Sequence, residues 1–165
     1  MLMVEIFEEA DTARLQRARD QGFDLPLFHG TKATFDAFAP NSHFGSEAQA
    51  RMRNPKSVMS VLVRGKRFKR VKDTGRNVWD QKTLARLERQ GYDGIVYLNR
   101  YEGIPLEQFE ALRERGIDDT RLSDAQFKKL VPAAEDSYII FDPKNVRSAD
   151  AQFHPDNAYK IGLKL

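Results

Sequence analysis

The sequence predicts a single α+β domain, a sheet with helices packed around it. The chain has 165 residues, which is the size of one domain. Segments typical of strands and segments typical of helices are interspersed along it, which favours the α+β class. A mostly helical stretch, residues 103–135, separates two strong strand candidates. We expect it to be an insertion into the sheet rather than a second domain.

Each predicted helix has a start or stop signal. Ser46 and Ser123 each begin a Ser-x-x-Gln pattern, which is typical of a capping box at a helix N-terminus. Gly22 is a stop signal for the N-terminal helix, which is expected within residues 1–22, and Asp80 is a candidate N-cap. The predicted helices cover residues 8–20, about 46–53, 81–90, 105–115 and about 123–131.

The predicted strands are short apolar runs. The run at residues 57–63 is rich in β-branched residues, and Gly94–Leu98 is apolar on both faces, which predicts a buried strand. A loop with Phe35 and Phe38 follows the first strand, and the tail from Phe153 onward is weakly patterned. The predicted strands cover residues 25–29, 57–63, 94–98 and 137–141.

Composition excludes several kinds of site. The chain has no cysteine, so disulfides, thiolate metal sites and a cysteine nucleophile are excluded. With three histidines and no metal-binding motif, no metal site is expected. No apolar run approaches the roughly 20 residues of a membrane helix, and the N-terminus lacks the features of a secretory signal. We therefore expect a cytoplasmic protein with no membrane partner. The alternative is an exported protein, delivered into a host cell, which the absence of cysteine also suits.

Charge is unevenly distributed. Residues 51–72 contain nine basic residues and no acidic one, whereas the rest of the chain has an excess of acidic residues. One interpretation is a contact surface for nucleic acid or an acidic protein. The other is a solvated edge strand, in which lysines prevent aggregation. The candidate contact residues are Arg64, Lys66, Arg67, Lys69 and Arg70.

Three short segments contain residues suited to chemistry. His29 and Gly30 end a strand, where a glycine allows close approach to the backbone and a histidine supplies a titratable donor. His43 begins a His-aromatic-Gly-Ser segment directly before a helix. Glu102 follows the buried strand Gly94–Leu98, a common place for a catalytic carboxylate. For Glu102 the alternatives are a simple ion pair with Arg100 or the start of the helical stretch. For the histidine segments they are a structural histidine at 29 and a turn with a helix cap at 43–46.

Taken in order, these segments resemble ADP-ribosyltransferase domains related to diphtheria toxin and the poly(ADP-ribose) polymerases. The resemblance is nearest to the domains found in large phage and mobile-element proteins. Nearly the whole chain is covered. The segments concerned are residues 14–23, LFHGT at 27–31, HFGSEAQA at 43–50, GYDGIVYLN at 91–99 with Glu102, DSYIIFDP at 136–143 and VRSADAQFHP at 146–155.

The resemblance implies a split, bent β-sheet core with NAD bound in the cleft between its halves. It implies that His29 contacts the adenosine ribose and that the backbone of Gly30 holds the nicotinamide carboxamide. His43 lies where the polymerases have an aromatic residue that stacks on nicotinamide, which is a departure from the family pattern. The NAD-binding residues implied are His29, Gly30, Thr31, His43, Phe44 and Ser46.

The family also uses a glutamate that hydrogen-bonds the nicotinamide ribose. In the polymerases it precedes a strand resembling residues 138–142, and this chain has Ser137 there. The mobile-element domains often carry a glutamate after the GYDGIVY segment, which fits Glu102. We therefore expect Glu102 to be the catalytic carboxylate, with Asp136 and then Glu135 as alternatives.

The sequence therefore predicts an NAD-dependent ADP-ribosyltransferase of phage or bacterial type, which transfers ADP-ribose to a macromolecular acceptor or hydrolyses NAD. Two alternatives remain open. One is an enzyme similar to the RNA 2′-phosphotransferases, which share the fold and the use of NAD. The other is a non-enzymatic module that binds NAD or a partner, which His43 and Ser137 favour because both depart from the catalytic pattern.

Overall fold

The computed structural model describes residues 3–75 and 79–165. Within these residues the chain folds into five α-helices and seven strands in two sheets, in agreement with the predicted α+β class. The helices are α1 (Met3–Asp20), α2 (Glu47–Met52), α3 (Gln81–Arg89), α4 (Leu106–Glu114) and α5 (Asp124–Leu130). The strands are β1 (Phe23–Thr31), β2 (Ser42–Phe44), β3 (Ser57–Arg64), β4 (Phe68–Arg70), β5 (Gly94–Leu98), β6 (Asp136–Ile140) and β7 (Val146–Ser148).

The strands form two sheets that meet at one junction. The first sheet has the order β1-β3-β7 and is antiparallel throughout. The second has the order β2-β6-β5-β4, with β4 parallel to β5 and the other pairs antiparallel. Phe28 of β1 and Gly45 after β2 exchange two backbone hydrogen bonds, of 2.8 and 3.0 Å. This junction brings the end of β1 beside β2.

A shared apolar core holds the two sheets together. Buried side chains of both sheets pack there with residues from the connecting segments. The alternation of side chains along each strand directs one face of each sheet into this core. Its fully buried members include Val61 and Val63 of the first sheet and Ile140 of the second. On the other side of the second sheet, α3 packs Leu84 and Leu87 against β5 and β6.

The stretch predicted as a helical insertion contains α4 and α5 and a small core of its own. Phe127 and Val131 are fully buried in that core, which also includes Leu98 at the end of β5. Arg100, which follows β5, is fully buried and attaches the insertion to the sheet. Its guanidinium donates to two main-chain carbonyls of the insertion and to the Asp124 carboxylate at 2.8 Å.

Local sequence signals located most of these elements. Both predicted capping boxes are formed, at Ser46 and Ser123, and Asp80 caps α3. Three strands of three residues each, β2, β4 and β7, were not predicted, because so short a strand shows no alternation of apolar and polar residues. The N-terminal helix begins at Met3, earlier than the predicted residue 8. Residues 1–2 of the segment 1–22, in which this helix is expected, lie outside the described residues.

In the described ranges, none of the helices has both the length and the apolar character needed to cross a bilayer.

Candidate functional site

A narrow pocket lies at the junction of the two sheets. It gathers five of the residues predicted to bind NAD or to act in catalysis: His29, Gly30, His43, Phe44 and Glu102. It also contains four polar residues that the sequence had not assigned to a site: Gln49, Arg53, Tyr97 and Ser137. Its cavity volume is about 30 Å³, which leaves room for one or two water molecules and is too small for an aromatic ring.

His29 is held in one orientation and one tautomer. Its Nδ1 lies 2.7 Å from the carbonyl oxygen of His43. Because a carbonyl only accepts hydrogen bonds, Nδ1 carries the proton and donates. The ring also packs edge-on against Phe38, with centroids 4.9 Å apart, and lies 5.5 Å from Phe44. In the neutral ring, Nε2 is therefore the nitrogen that can accept a hydrogen bond from a ligand.

His43 is a half-buried histidine kept neutral by its surroundings. Burial lowers the pKa of His43 below its ordinary value of 6.5, and the guanidinium of Arg53 acts in the same direction. His29 lowers the pKa as well, whereas the carboxylate of Glu102 raises it. The Nδ1 atom of His43 is buried with no hydrogen-bond partner among the described residues. An uncharged ring therefore forms one wall of the pocket at neutral pH.

The lowered pKa of His43 predicts a loss of stability in acid. In the unfolded chain the His43 imidazole binds a proton at about pH 6.5, and in the folded chain it does so only at lower pH. The contribution of His43 to the free energy of unfolding is therefore fully retained above pH 6.5 and is lost progressively as the pH falls below it. We expect His43→Phe to remove part of this decrease. Thermal melts at about pH 7.5 and about pH 5.5 measure the difference. The control His154→Gln changes an exposed histidine and should keep the decrease of the natural chain. An unchanged pH dependence in the His43 variant would contradict the prediction.

Glu102 is the carboxylate of the pocket, and both of its oxygens have partners. Oε1 accepts from Arg53, with Nε at 3.0 Å and Nη2 at 2.9 Å. Oε2 accepts from the side-chain amide of Asn99 at 2.9 Å. Glu102 does not pair with Arg100, the alternative partner considered from the sequence, because Arg100 points into the helical insertion.

Asn99 connects Glu102 to Ser137, which occupies the position at which the family resemblance would place a glutamate. Its Nδ2 donates to Ser137 Oγ at 3.0 Å as well as to Glu102. Ser137 in turn donates to Gln49 Oε1 at 2.9 Å. Asn99 is 2% exposed, and its Oδ1 accepts from the backbone N–H groups of Tyr101 and Glu102. The Glu102 carboxylate is thus held next to Ser137 by a rigid, buried amide.

The two alternative carboxylates lie outside the pocket. Successive residues of a strand point to opposite faces. Ser137 points into the pocket, so Asp136 points away from it. Asp136 forms a two-pronged ion pair with Arg70, at 2.6 and 3.0 Å. The Glu135 side chain is exposed. Its carbonyl oxygen accepts hydrogen bonds from the side-chain amide of Gln49 and from the backbone N–H of Asn99.

Two other predicted NAD-binding residues also lie elsewhere. Thr31 forms a local turn, in which its hydroxyl donates to the carbonyl of Ala33 and accepts from the N–H of the same residue. It lines a separate groove together with Met59. Ser46 caps α2, accepting from the backbone N–H of Gln49. Neither hydroxyl lines the pocket.

Gly30 has a structural reason to be glycine. A Cβ atom at this position would lie 2.4 Å from the carbonyl oxygen of Ala50 in α2. The sequence suggested that this glycine lets a ligand approach the backbone. The contact shows that it also lets α2 pack closely against β1, which places the end of α2 at the pocket.

We expect Gly30→Ala to destabilise the fold by about 1–3 kcal/mol, because the methyl group displaces backbone rather than a flexible side chain. Urea denaturation measures the change. The control Ser60→Ala alters an exposed side chain in the neighbouring strand and should leave the free energy of unfolding nearly unchanged. A Gly30 variant as stable as the natural chain would show that α2 shifts freely.

The predicted contact residues of the basic segment largely have internal roles. Arg64 donates to oxygen atoms of residues 144–158, Arg67 donates to the carbonyl of Gln90, and Arg70 pairs with a carboxylate. Lys66 and Lys69 have exposed side chains on or beside β4, an edge strand of the second sheet. The three arginines are therefore engaged within the fold, and the edge-strand interpretation applies to the two lysines.

The additional pocket residues had weak sequence signals. In the sequence, Gln49 stands out only as part of the capping box, and Arg53 only as one member of the basic run. Tyr97 belongs to a run that predicts a buried strand and carries no further signal. Burial raises the pKa of Tyr97, and the nearby carboxylates of Glu102 and Asp73 raise it further. The Tyr97 hydroxyl is therefore a protonated donor at neutral pH.

Comparison with known proteins gave no match among protein-family models, curated proteins or solved structures.

Proposed function

We propose that this protein is an NAD-dependent ADP-ribosyltransferase and that NAD binds at the junction of the two sheets. One observation supports this most strongly. His29 and Gly30 from β1, His43 from β2 and the Glu102 carboxylate line one pocket, although they are far apart in the sequence. They are also the residues that the motif resemblance pairs with NAD.

The reaction requires a carboxylate at this place. The bond between the anomeric carbon and the nicotinamide nitrogen breaks, and its electron pair leaves with nicotinamide, which becomes neutral. Positive charge develops on the ribose. A carboxylate that accepts a hydrogen bond from a ribose hydroxyl stabilises this charge, as in glycoside hydrolysis. The acceptor then bonds to the anomeric carbon through a lone pair and loses its proton to solvent water. We assign this role to Glu102, whose carboxylate lines the pocket.

The two histidines suit the other parts of the ligand. A neutral His43 ring can stack on the cationic nicotinamide without charge repulsion, and its lowered pKa keeps it neutral. The tautomer of His29 leaves Nε2 free to accept from a sugar hydroxyl. The cleft between two packed sheets also agrees with the split core that the resemblance implies.

The test is nicotinamide release from NAD carrying a label on the nicotinamide ring. The purified protein is incubated with NAD alone, with nucleic acid, with an acidic protein, and with RNA bearing a terminal 2′-phosphate. Release in any of the first three mixtures supports the proposal. Release that requires the 2′-phosphorylated RNA would favour the phosphotransferase alternative. NAD binding without release in any mixture would favour a binding module, and absence of both would contradict the proposal.

A further inference from the structure

From the proposed function, on which this step rests, we infer that Arg53 binds the diphosphate of the dinucleotide. To do so, Arg53 breaks its ion pair with Glu102. Glu102 is then available to the ribose only when a ligand with a diphosphate is bound. Arg53 would thus select dinucleotides over nucleosides that carry the same nicotinamide ribose.

The narrowness of the pocket motivates this inference. Arg53 and Glu102 both line the pocket and are joined by an ion pair of 2.9 Å. The remaining cavity is too small for a pyridine ring. With Arg53 on one oxygen of Glu102 and Asn99 on the other, no oxygen of the carboxylate is without a partner. The space that a nicotinamide ribose needs beside the carboxylate is filled by the side chains that line this narrow cavity, so its entry requires one of them to move.

Arg53 is the partner that can leave. Its side chain is 53% exposed, whereas Asn99 is 2% exposed and is fixed by Ser137 and two backbone N–H groups. Arg53 is the residue after α2, and it makes its ion pair across 49 positions of sequence. Exposed ion pairs of this kind contribute little net free energy, so little free energy is lost when Arg53 exchanges the Glu102 carboxylate for a phosphate.

Charge determines where Arg53 goes. The nicotinamide ring is cationic and repels a guanidinium, so the arginine cannot stay beside it. In a dinucleotide, the diphosphate is attached to the same ribose that Glu102 would contact. A guanidinium matches phosphate oxygens with two parallel hydrogen bonds. Movement of Arg53 onto the diphosphate also removes a positive charge from the neighbourhood of the ring.

The experiment compares Arg53→Ala with the matched control Arg51→Ala. Arg51 lies on the same helix, is also exposed, and pairs with Glu47 away from the pocket. Binding of ADP-ribose is measured by calorimetry, and nicotinamide release is measured with NAD and with nicotinamide riboside. We expect Arg53→Ala to weaken ADP-ribose binding roughly 10–100-fold, as for loss of hydrogen bonds between charged groups. Its preference for NAD over nicotinamide riboside should fall by a similar factor, and Arg53→Lys should recover part of both losses.

Several outcomes separate this inference from the proposed function. If the natural chain releases nicotinamide but Arg53→Ala binds ADP-ribose as tightly, the inference is overturned and the proposed function stands. The inference is also overturned if the natural chain binds no ADP-ribose. If the natural chain binds ADP-ribose without releasing nicotinamide in any mixture, the proposed function fails, and weaker binding by Arg53→Ala alone still supports the diphosphate contact.

Discussion

Glu102→Gln is expected to reduce nicotinamide release from NAD by roughly 100–1,000-fold while leaving NAD bound, because the amide keeps the shape of the side chain but lacks its negative charge. Asn99 holds this side chain at the pocket, so the variant should place its amide group close to the position of the carboxylate. The loss should therefore appear in kcat rather than in KM. Labelled NAD gives the rate, and calorimetry gives the binding.

The control for this prediction is Asp136→Asn. Asp136 points away from the pocket and pairs with Arg70, so its loss should have a smaller effect on the rate. If Asp136→Asn stops the reaction and Glu102→Gln does not, the carboxylate has been assigned to the wrong residue although the transferase proposal survives. If neither change matters and NAD is not cleaved, a binding module is the better description.

Arg100→Ala is expected to have the largest effect on stability, a loss of about 3 kcal/mol in the free energy of unfolding. The guanidinium is fully buried and packs over the ring of Phe127, 4.7 Å from its centroid. Its removal leaves a cavity beside that ring. It also takes away the donors that satisfy the Asp124 carboxylate and the carbonyls of Asp119 and Leu122. Urea denaturation followed by circular dichroism measures the loss.

Arg121→Ala is the matched control, since it removes an arginine from the same insertion. The Arg121 side chain is 86% exposed and pairs only locally, with Asp118. We expect the Arg121 variant to unfold like the natural chain, because exposed ion pairs contribute little. Equal stability of the two variants would mean that the insertion is attached by its apolar core alone.

Local signals in the sequence were sufficient for the elements that depend on local chemistry. The capping boxes at Ser46 and Ser123 and the buried strand β5 follow from residues only a few positions apart. The α+β class follows from the order of such elements. The division of the strands into two sheets does not follow from it, because strand pairing depends on contacts between distant segments.

The same distinction applies to the site. The motifs identified His29, His43 and Glu102, and the structure brings these three into one pocket. The sequence could not show that Glu102 pairs with Arg53 instead of its neighbour Arg100, because both pairings are compatible with the charge pattern. The sequence also could not show that the Asp136 side chain points away from the pocket, since this depends on the register of β6 against β5.

The junction between the sheets also acts as an indicator of internal motion. The amide protons of Phe28 and Gly45 lie in the two hydrogen bonds that join β1 to the residue after β2, next to both histidines. Any separation of these segments wide enough to admit a ring must lengthen those bonds and expose the amides to solvent. Their hydrogen–deuterium exchange therefore reports local opening, which requires less free energy than global unfolding. A ligand that bridges the two segments should slow exchange at both amides together.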